Sequence, residues 1–307
     1  MPSFSTADVR RYYDRHTPAF LSGGQGGALG SMHRAVRGPG AATREQAFHY
    51  VEDQILERIR TVTPATGSPR VLDLGCGVAA SLCYLAERLP ITGTGITISG
   101  VQARIGSERI RAAGLSNRLA CIEGDYGDLP PDIAPADVAY AIESFVHGPE
   151  PARFFEQCRR LVRPDGLLIV CDDVRRVAKL PGTSRTGAIE TTGTATTTPA
   201  VNAANDAAER AIETFCRGWH ITSLLDAGEL RELAHASGFE HDSTLDLSPF
   251  LELRRPRDRA IALFLALVRW LPIDTSRFDP LVGGNALQTC LAHGWIGYDF
   301  AVFKRQG

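Results

Sequence analysis

Between Arg70 and Asp173, short apolar runs alternate with stretches of helical period. Val71-Leu72-Asp73-Leu74 is short enough for a buried strand, and Leu82, Leu85, Ala86 and Leu89 then recur along one helix face. The pattern predicts strands near 70–74, 91–98, 118–123, 136–142 and 167–172, with helices near 78–89, 100–113 and 150–162. Pro164-Asp165-Gly166 is a turn signal that places the fifth strand, "LLIVCDD". Alternation of this kind implies a parallel sheet covered on both faces.

Residues 1–66 carry no strand signal and predict a helical N-terminal cap. "STADVRRYYDRHTPAF" offers Ser5 or Thr6 as an N-cap. "TREQAFHYVEDQILERIRTV" offers Thr43, with Phe48, Val51, Ile55, Leu56 and Ile59 on one face. A glycine-rich link, "SGGQGGALGS", joins them. Residues 181–206 lose the periodicity to Thr, Gly and Ala, which predicts a flexible insertion, either a disordered surface segment or a lid. "SLLDAGELRELAHASGF" then predicts a helix stopped by Gly238, followed by a strand near 240–247. A helical insertion over 250–293 contains "RDRAIALFLALVRWL", expected as a buried helix, and "WIGYDFAVFKR" supplies the last strand. Two closing strands after a five-stranded core suggest a hairpin added at the sheet edge. The expected domains are therefore the cap, 1–66, and a core, 67–307, bearing both insertions.

Bulk properties narrow the class. A chain of 307 residues with a formal net charge of −2 lacks the basic excess of nucleic-acid binders. The N-terminus has no apolar core of a secretory signal. The longest apolar run, Ala260 to Val268, falls far short of the about 20 residues that span a bilayer. The seven cysteines (76, 83, 121, 158, 171, 216 and 290) show no metal-type spacing and fall largely in core segments, as expected of reduced thiols. A cytoplasmic protein with no membrane or nucleic-acid partner is expected, and homo-oligomerisation is left open.

The candidate chemistry begins at Gly75-Cys76-Gly77. Two glycines between a strand and a helix let the backbone turn sharply and approach a ligand closely. A dehydrogenase would continue as G-x-G-x-x-G, with an acid closing the second strand for the ribose diol. Here Ala80 stands at the third position and the second strand ends "GITIS", so a nicotinamide cofactor is disfavoured.

Three further stretches carry a family resemblance: "TGTGITISGVQ" (92–102), "IEGDYGDLP" (122–130) and "AYAIESFVHGPEPARFFEQCRRLVRPDGLLIVCDD" (139–173). With the glycine elbow they resemble the successive motifs of class I S-adenosylmethionine-dependent methyltransferases, in the branch of tocopherol, sterol C-24 and natural-product enzymes. The resemblance implies an α/β, Rossmann-like seven-stranded, mostly parallel sheet with an antiparallel last strand. It implies that Gly75 and Gly77 let the backbone pass the methionine part of the cofactor and that Asp73 orients their loop. Thr97, Ile98 and Gln102 would contact the ribose and methionyl ends. Asp125 would accept from the adenine amine, with Tyr126 beside the ring, and Cys76 and Ile142 complete the implied set. Ala79 departs from the family's frequent third glycine. The sulfonium cofactor has no phosphate, which agrees with the missing phosphate-clamp motif.

Glu143 and His147 follow the fourth strand at the carboxyl edge of the sheet, where open α/β sheets bind ligands. Glu143, His147 and Pro149 resemble the spacing in sterol C-24 methyltransferases, which implies a carboxylate beside a carbocation and a lean toward C-methylation of an isoprenoid alkene or electron-rich ring. The competing readings are a helix-capping Glu143 and a loop His147. Tyr12 or Tyr13, Phe145 and Trp219 are candidate cation-facing aromatics, or plain packing. His33, Arg34, Arg37 and Arg44 form a basic cluster in the cap, suited to an anionic substrate group or simply to solvent. His33 and His147 are the candidate bases for the alternative of O- or N-methylation, and a non-catalytic cofactor-binding or partner module is the rival outside enzymes. The expected partner is a small-molecule acceptor. No metal site stands out: Asp172 and Asp173 are expected to end a strand beside the pocket, and magnesium would enter only with a diphosphate substrate.

Overall fold

The structure, a computed structural model, describes residues 3–23, 30, 32–62, 67–176, 199–268 and 278–307. Two helices lead, α1 (Thr6–Gly23) and α2 (Arg44–Thr61). Ser5 caps α1 through its hydroxyl and Asp8. Thr43 caps α2 in a reciprocal box with Gln46, a device that contributes about 1 kcal/mol. The alternating core follows: β1 (Arg70–Leu74), α3 (Ala80–Arg88), β2 (Thr92–Thr97), α4 (Gly100–Ala112), β3 (Leu119–Glu123), β4 (Ala136–Ile142), α5 (Pro151–Leu161) and β5 (Val162–Arg175). The remaining elements are α6 (Pro199–Trp219), α7 (Ala227–Ala236), β6 (Phe239–Asp246), α8 (Pro256–Val268), α9 (Asp279–His293) and β7 (Ile296–Arg305).

The strands form one seven-stranded sheet in the order β3-β2-β1-β4-β5-β7-β6. β1 pairs in parallel with β2 and β4, β2 with β3, and β4 with β5, while β7 runs antiparallel to both neighbours. The two closing strands do add at the sheet edge as an antiparallel pair, with β7 between β5 and β6. The reason lies in burial. β7 is buried at every position from Ile296 to Phe303, whereas β6 is exposed at alternate positions, as a solvent-facing edge strand should be. Cores fill both faces: Phe154, Phe155, Phe215, Phe239 and Phe303 on one, and Ile55, Ile59, Leu82, Tyr140 and Tyr298 on the other.

Two insertion expectations change. Of residues 181–206, the part up to 198 lies outside the described residues, and 199–206 open α6 instead, because Pro199 suits a first helical turn and the following alanines favour its continuation. The "RDRAIALFLALVRWL" helix is not buried: Leu263, Phe264 and Leu267 of α8 stand in solvent. Its Trp270 lies outside the described residues.

Candidate functional site

β1 ends at the carboxyl edge of the sheet and delivers the chain into Gly75 (φ +88°), Gly77 (φ +52°) and Ala79 (φ +56°). The Gly75 and Cys76 amides donate to the Ile96 carbonyl of β2 at 2.8 and 2.9 Å, which locks the turn. A Cβ on Gly75 would stand 2.3 Å from Ser144 Cβ, so only glycine fits there, while at Gly77 the nearest atom is the flexible Met32 Cε and it is the positive φ that favours glycine. α3 begins at Ala79 with no side-chain cap, which leaves first-turn N–H groups facing the elbow.

A cavity of about 970 Å³ opens over this elbow. Asp73, Gly75, Cys76, Gly77, Thr97, Ile98, Gln102, Asp125, Tyr126 and Ile142, the whole set implied for the cofactor, line it. Thr97 donates to Gln102 Oε1 at 2.6 Å, and Gln102 Nε2 donates to Thr17 of α1 at 3.0 Å. Ser99 caps α4 and also donates to Asp14, so α1 lies tied across this end of the cavity. Tyr140 donates to Asp73 Oδ2 at 2.8 Å, while burial lifts the Asp73 carboxyl to about 7. Asp125 accepts from the Gly127 amide, and the Tyr126 hydroxyl donates to the Ser144 carbonyl.

Beside the elbow lies a buried charge network. Glu143 adopts φ +48°, and its Oε1 accepts from the Arg34 amide (2.8 Å), Arg34 Nε (3.0 Å) and the Tyr298 hydroxyl (2.9 Å). Arg34 turns its other two nitrogens onto both oxygens of Asp173, at 2.8 and 2.9 Å, and lies 4.2 Å over the Tyr298 ring. At Glu143, burial opposes ionisation, but Arg34, His33 and the hydrogen bonds win and hold the carboxyl below its usual range. At Asp173 burial outweighs the same arginine and raises the carboxyl, although the bidentate guanidinium keeps a carboxylate there the better partner. Asp172, without a cation, is pushed up to about 8 by burial and by Asp173.

The two histidines differ sharply. Both nitrogens of His33 face acceptors, the Arg34 carbonyl at 3.1 Å and Glu52 at 2.7 Å. Burial disfavours its charge, yet Glu52 prevails and holds it at about 9, so His33 is an imidazolium with no lone pair to act as a base. His147 is buried without a charged partner and falls to about 4. Its Nδ1–H donates to the His220 carbonyl at 3.2 Å, and its Nε2 accepts the Tyr13 hydroxyl at 2.7 Å. At neutral pH the buried network thus sets the carboxylates of Glu143 and Glu52 against the cations Arg34 and His33, with Asp173 sharing the Arg34 guanidinium.

The remaining expected residues divide. Tyr13, Tyr12, His33, Arg34, Glu143, His147 and Trp219 all line the cavity. Arg37 does not: with Arg44 it meets Glu252 at the surface, which neutralises the predicted basic cluster. Phe145 is buried in the core against Phe154 and Phe155, away from the cavity wall. Sequence reasoning passed over Glu52 and Tyr298, while the 250–293 insertion was expected to help roof the acceptor pocket and does form an α8–α9 wall, with Arg257, Ile261, Asn285 and Gln288 the residues not named beforehand. The arginine run "RRPRDR" was the visible signal for that wall; Tyr298 had none, since its place depends on where β7 inserts.

Residues 72–170 match the family model of a methyltransferase domain. Over 131 residues the chain is 30% identical to the methyltransferase GfsG of Streptomyces halstedii, covering 43% of this chain and 46% of that one. It is 27% identical over 218 residues to 24-methylenesterol C-methyltransferase 2 of Oryza sativa subsp. japonica, covering 71% and 53%. The chain spans about half the length of the curated relatives it matches. Among solved structures, the [4+2]-cyclase SpnF superposes with a TM-score of 0.70 at 23% identity, over 100% of this chain and 98% of that one. The elbow, the sheet order and these likenesses agree: residues 72–170 match the methyltransferase-domain family, on the fold of the S-adenosylmethionine-dependent methyltransferases.

Proposed function

We propose that the protein transfers the methyl group of S-adenosylmethionine to a carbon of a small, largely apolar acceptor, an isoprenoid alkene or an electron-rich ring. The observation that carries this reading is the ionised, buried Glu143 beside the glycine elbow. The residues fit the cofactor: the glycine elbow and the other residues implied for it line one cavity, and the ionised Glu143 beside them suits a cation rather than a phosphate. Gly75 and Gly77 would hold the methionyl portion, Thr97, Ile98 and Gln102 the ribose side, and Asp125 and Tyr126 the adenine. When bound, S-adenosylmethionine supplies a methyl group on a cationic sulfur.

The chain's own residues do the rest. α1 closes one side through Thr17, Asp14 and Tyr13 and excludes water. Tyr13, Trp219 and Ile221 shape an apolar bay for the acceptor. Glu143, fixed by three donors and holding no proton, stabilises positive charge that develops on an attacked alkene and can take the proton that restores neutrality. A second reading, O- or N-methylation, rests on the neutral His147, whose Nε2 lone pair could draw a proton through Tyr13.

The test supplies deuteromethyl-labelled cofactor with a panel of prenyl alkenes and prenylated phenols, and locates the label by mass spectrometry and NMR. Glu143→Gln should lower kcat by roughly 10²–10³ and leave S-adenosylhomocysteine affinity within a few-fold. An unchanged kcat in that variant refutes a chemical task for the carboxylate. Label on oxygen or nitrogen, abolished by His147→Asn, would select the second reading. A protein that binds the cofactor and methylates nothing would be the non-catalytic module.

A further inference from the structure

α8 is apolar on two opposite faces. Its inner face lines the cavity with Ile261 and Ala262. Its outer face carries Leu263, Phe264 and Leu267, exposed by 64%, 40% and 63%, which are three of the four large apolar side chains standing in solvent among the described residues. At helical spacing these three fall within a sector of roughly 100°, opposite Ile261 and Ala262. A helix apolar all round ordinarily sits in a core, so an outward apolar stripe calls for a partner surface.

The charges around the stripe indicate which partner. The side chains of Arg254, Arg257 and Arg259 have no ion-pair or hydrogen-bond partner among the described residues, whereas Arg255 is held by Asp258. All three unpaired arginines are exposed, and all three line the cavity. Arg257 and Arg259 flank the apolar stripe on the first turns of the helix. Exposed apolar anchors bordered by unpaired cations complement an anionic lipid surface, whose acyl boundary takes the anchors and whose phosphates take the cations. No described helix is long and apolar enough to cross a membrane, and interfacial contact needs none.

We propose that α8 docks the protein on an anionic lipid surface. Leu263, Phe264 and Leu267 enter the acyl boundary, Arg254, Arg257 and Arg259 meet lipid phosphates, and the cavity mouth opens against the bilayer. This replaces the expectation of no membrane partner, which rested on the absence of a spanning segment. It stands on α8 alone and does not require the methyl-transfer reading.

The test is co-sedimentation of the full chain with vesicles of phosphatidylcholine, alone or with about a third phosphatidylglycerol. Wild-type protein should pellet with the anionic vesicles at least about tenfold more strongly than with the neutral ones, and less so as salt rises. L263S/L267S should lose about tenfold or more of that binding, and R257Q/R259Q should erase the preference for phosphatidylglycerol. Both pairs of sites are exposed, so melting temperatures should stay near wild type. Wild-type protein that ignores anionic vesicles, or L263S/L267S protein that binds as well as wild type, overturns the proposal. So does a dimer by light scattering that L263S/L267S converts to monomer without vesicle binding, since the stripe would then face a second copy.

Discussion

Replacing Arg34 by methionine keeps much of its stem and removes one cation from between two carboxylates. The side chains of Arg34, Glu143 and Asp173 are 9%, 13% and 2% exposed, so water cannot take over the lost interactions. Breaking a buried pair by removing one partner costs about 3–5 kcal/mol. At about 2–4 °C per kcal/mol for a chain this large, the melting temperature should fall by roughly 10 °C. The loss should also depend on pH in a defined direction. In the wild type, Glu143 is held below its usual range, so its contribution persists far into the acid range. In Arg34→Met, burial acts on Asp173 unopposed and raises its folded pKa further above the unfolded value, about 3.9, while Glu143 keeps only His33, the backbone amide of position 34 and the Tyr298 hydroxyl against burial and shifts upward. The penalty is then full at high pH, shrinks as pH falls through the raised values, and vanishes once the unfolded chain is protonated too. Urea unfolding of both proteins at pH 7.5 and 5.5 reads this directly: the stability gap should be several kcal/mol at the higher pH and clearly smaller at the lower. A gap below about 1 kcal/mol, within the range of an exposed pair, or one equal at both pH values, would refute the buried-network reasoning. Arg34→Lys should fall between, since it restores charge but cannot fork onto Asp173.

Gly75→Ala places a methyl 2.3 Å from Ser144 Cβ at φ +88° and should cost about 2–4 kcal/mol, with at least tenfold weaker S-adenosylhomocysteine binding by calorimetry. Gly114→Ala, at φ +70° in open space, is the control and should cost only about 1 kcal/mol of backbone strain and no affinity. His147 should titrate at about 4 by NMR rather than near 6.5. Because its folded pKa lies below the unfolded one, stability is intact above about 6.5 and declines by up to about 3 kcal/mol as pH falls toward 4. An imidazole that titrates near 6.5 would show that His147 is not sealed beneath Tyr13.

Local signals carried much of this protein. The five parallel strands and the glycine elbow were legible because each combines a short apolar run with a turn residue at a fixed offset, as in Val71–Leu74 before Gly75. The Thr43 cap was legible for the same reason. What escaped depends on distant pairing. Strand period shows that β7 is a strand but not that it enters between β5 and β6, and without that register Tyr298 cannot be placed on Glu143. Charge partners escaped likewise. Arg34, Arg37 and Arg44 look alike in sequence, yet one is buried on Glu143 and Asp173 while two share Glu252 in solvent. His33 looked like a base until Glu52, 19 positions away, was seen against its Nε2.

The position of β7 also dictates an order of events during synthesis. β1 to β5 can pair as they leave the ribosome, but β5 then keeps a bare edge while α6, α7, β6, α8 and α9 are made. β6 emerges with no partner at all, because its only neighbour in the sheet is the strand still to come. A nascent chain therefore carries two adhesive borders until the final strand zips them together, and only then does the Tyr298 phenol reach Glu143. Slow translation through α8 and α9 prolongs that vulnerable interval.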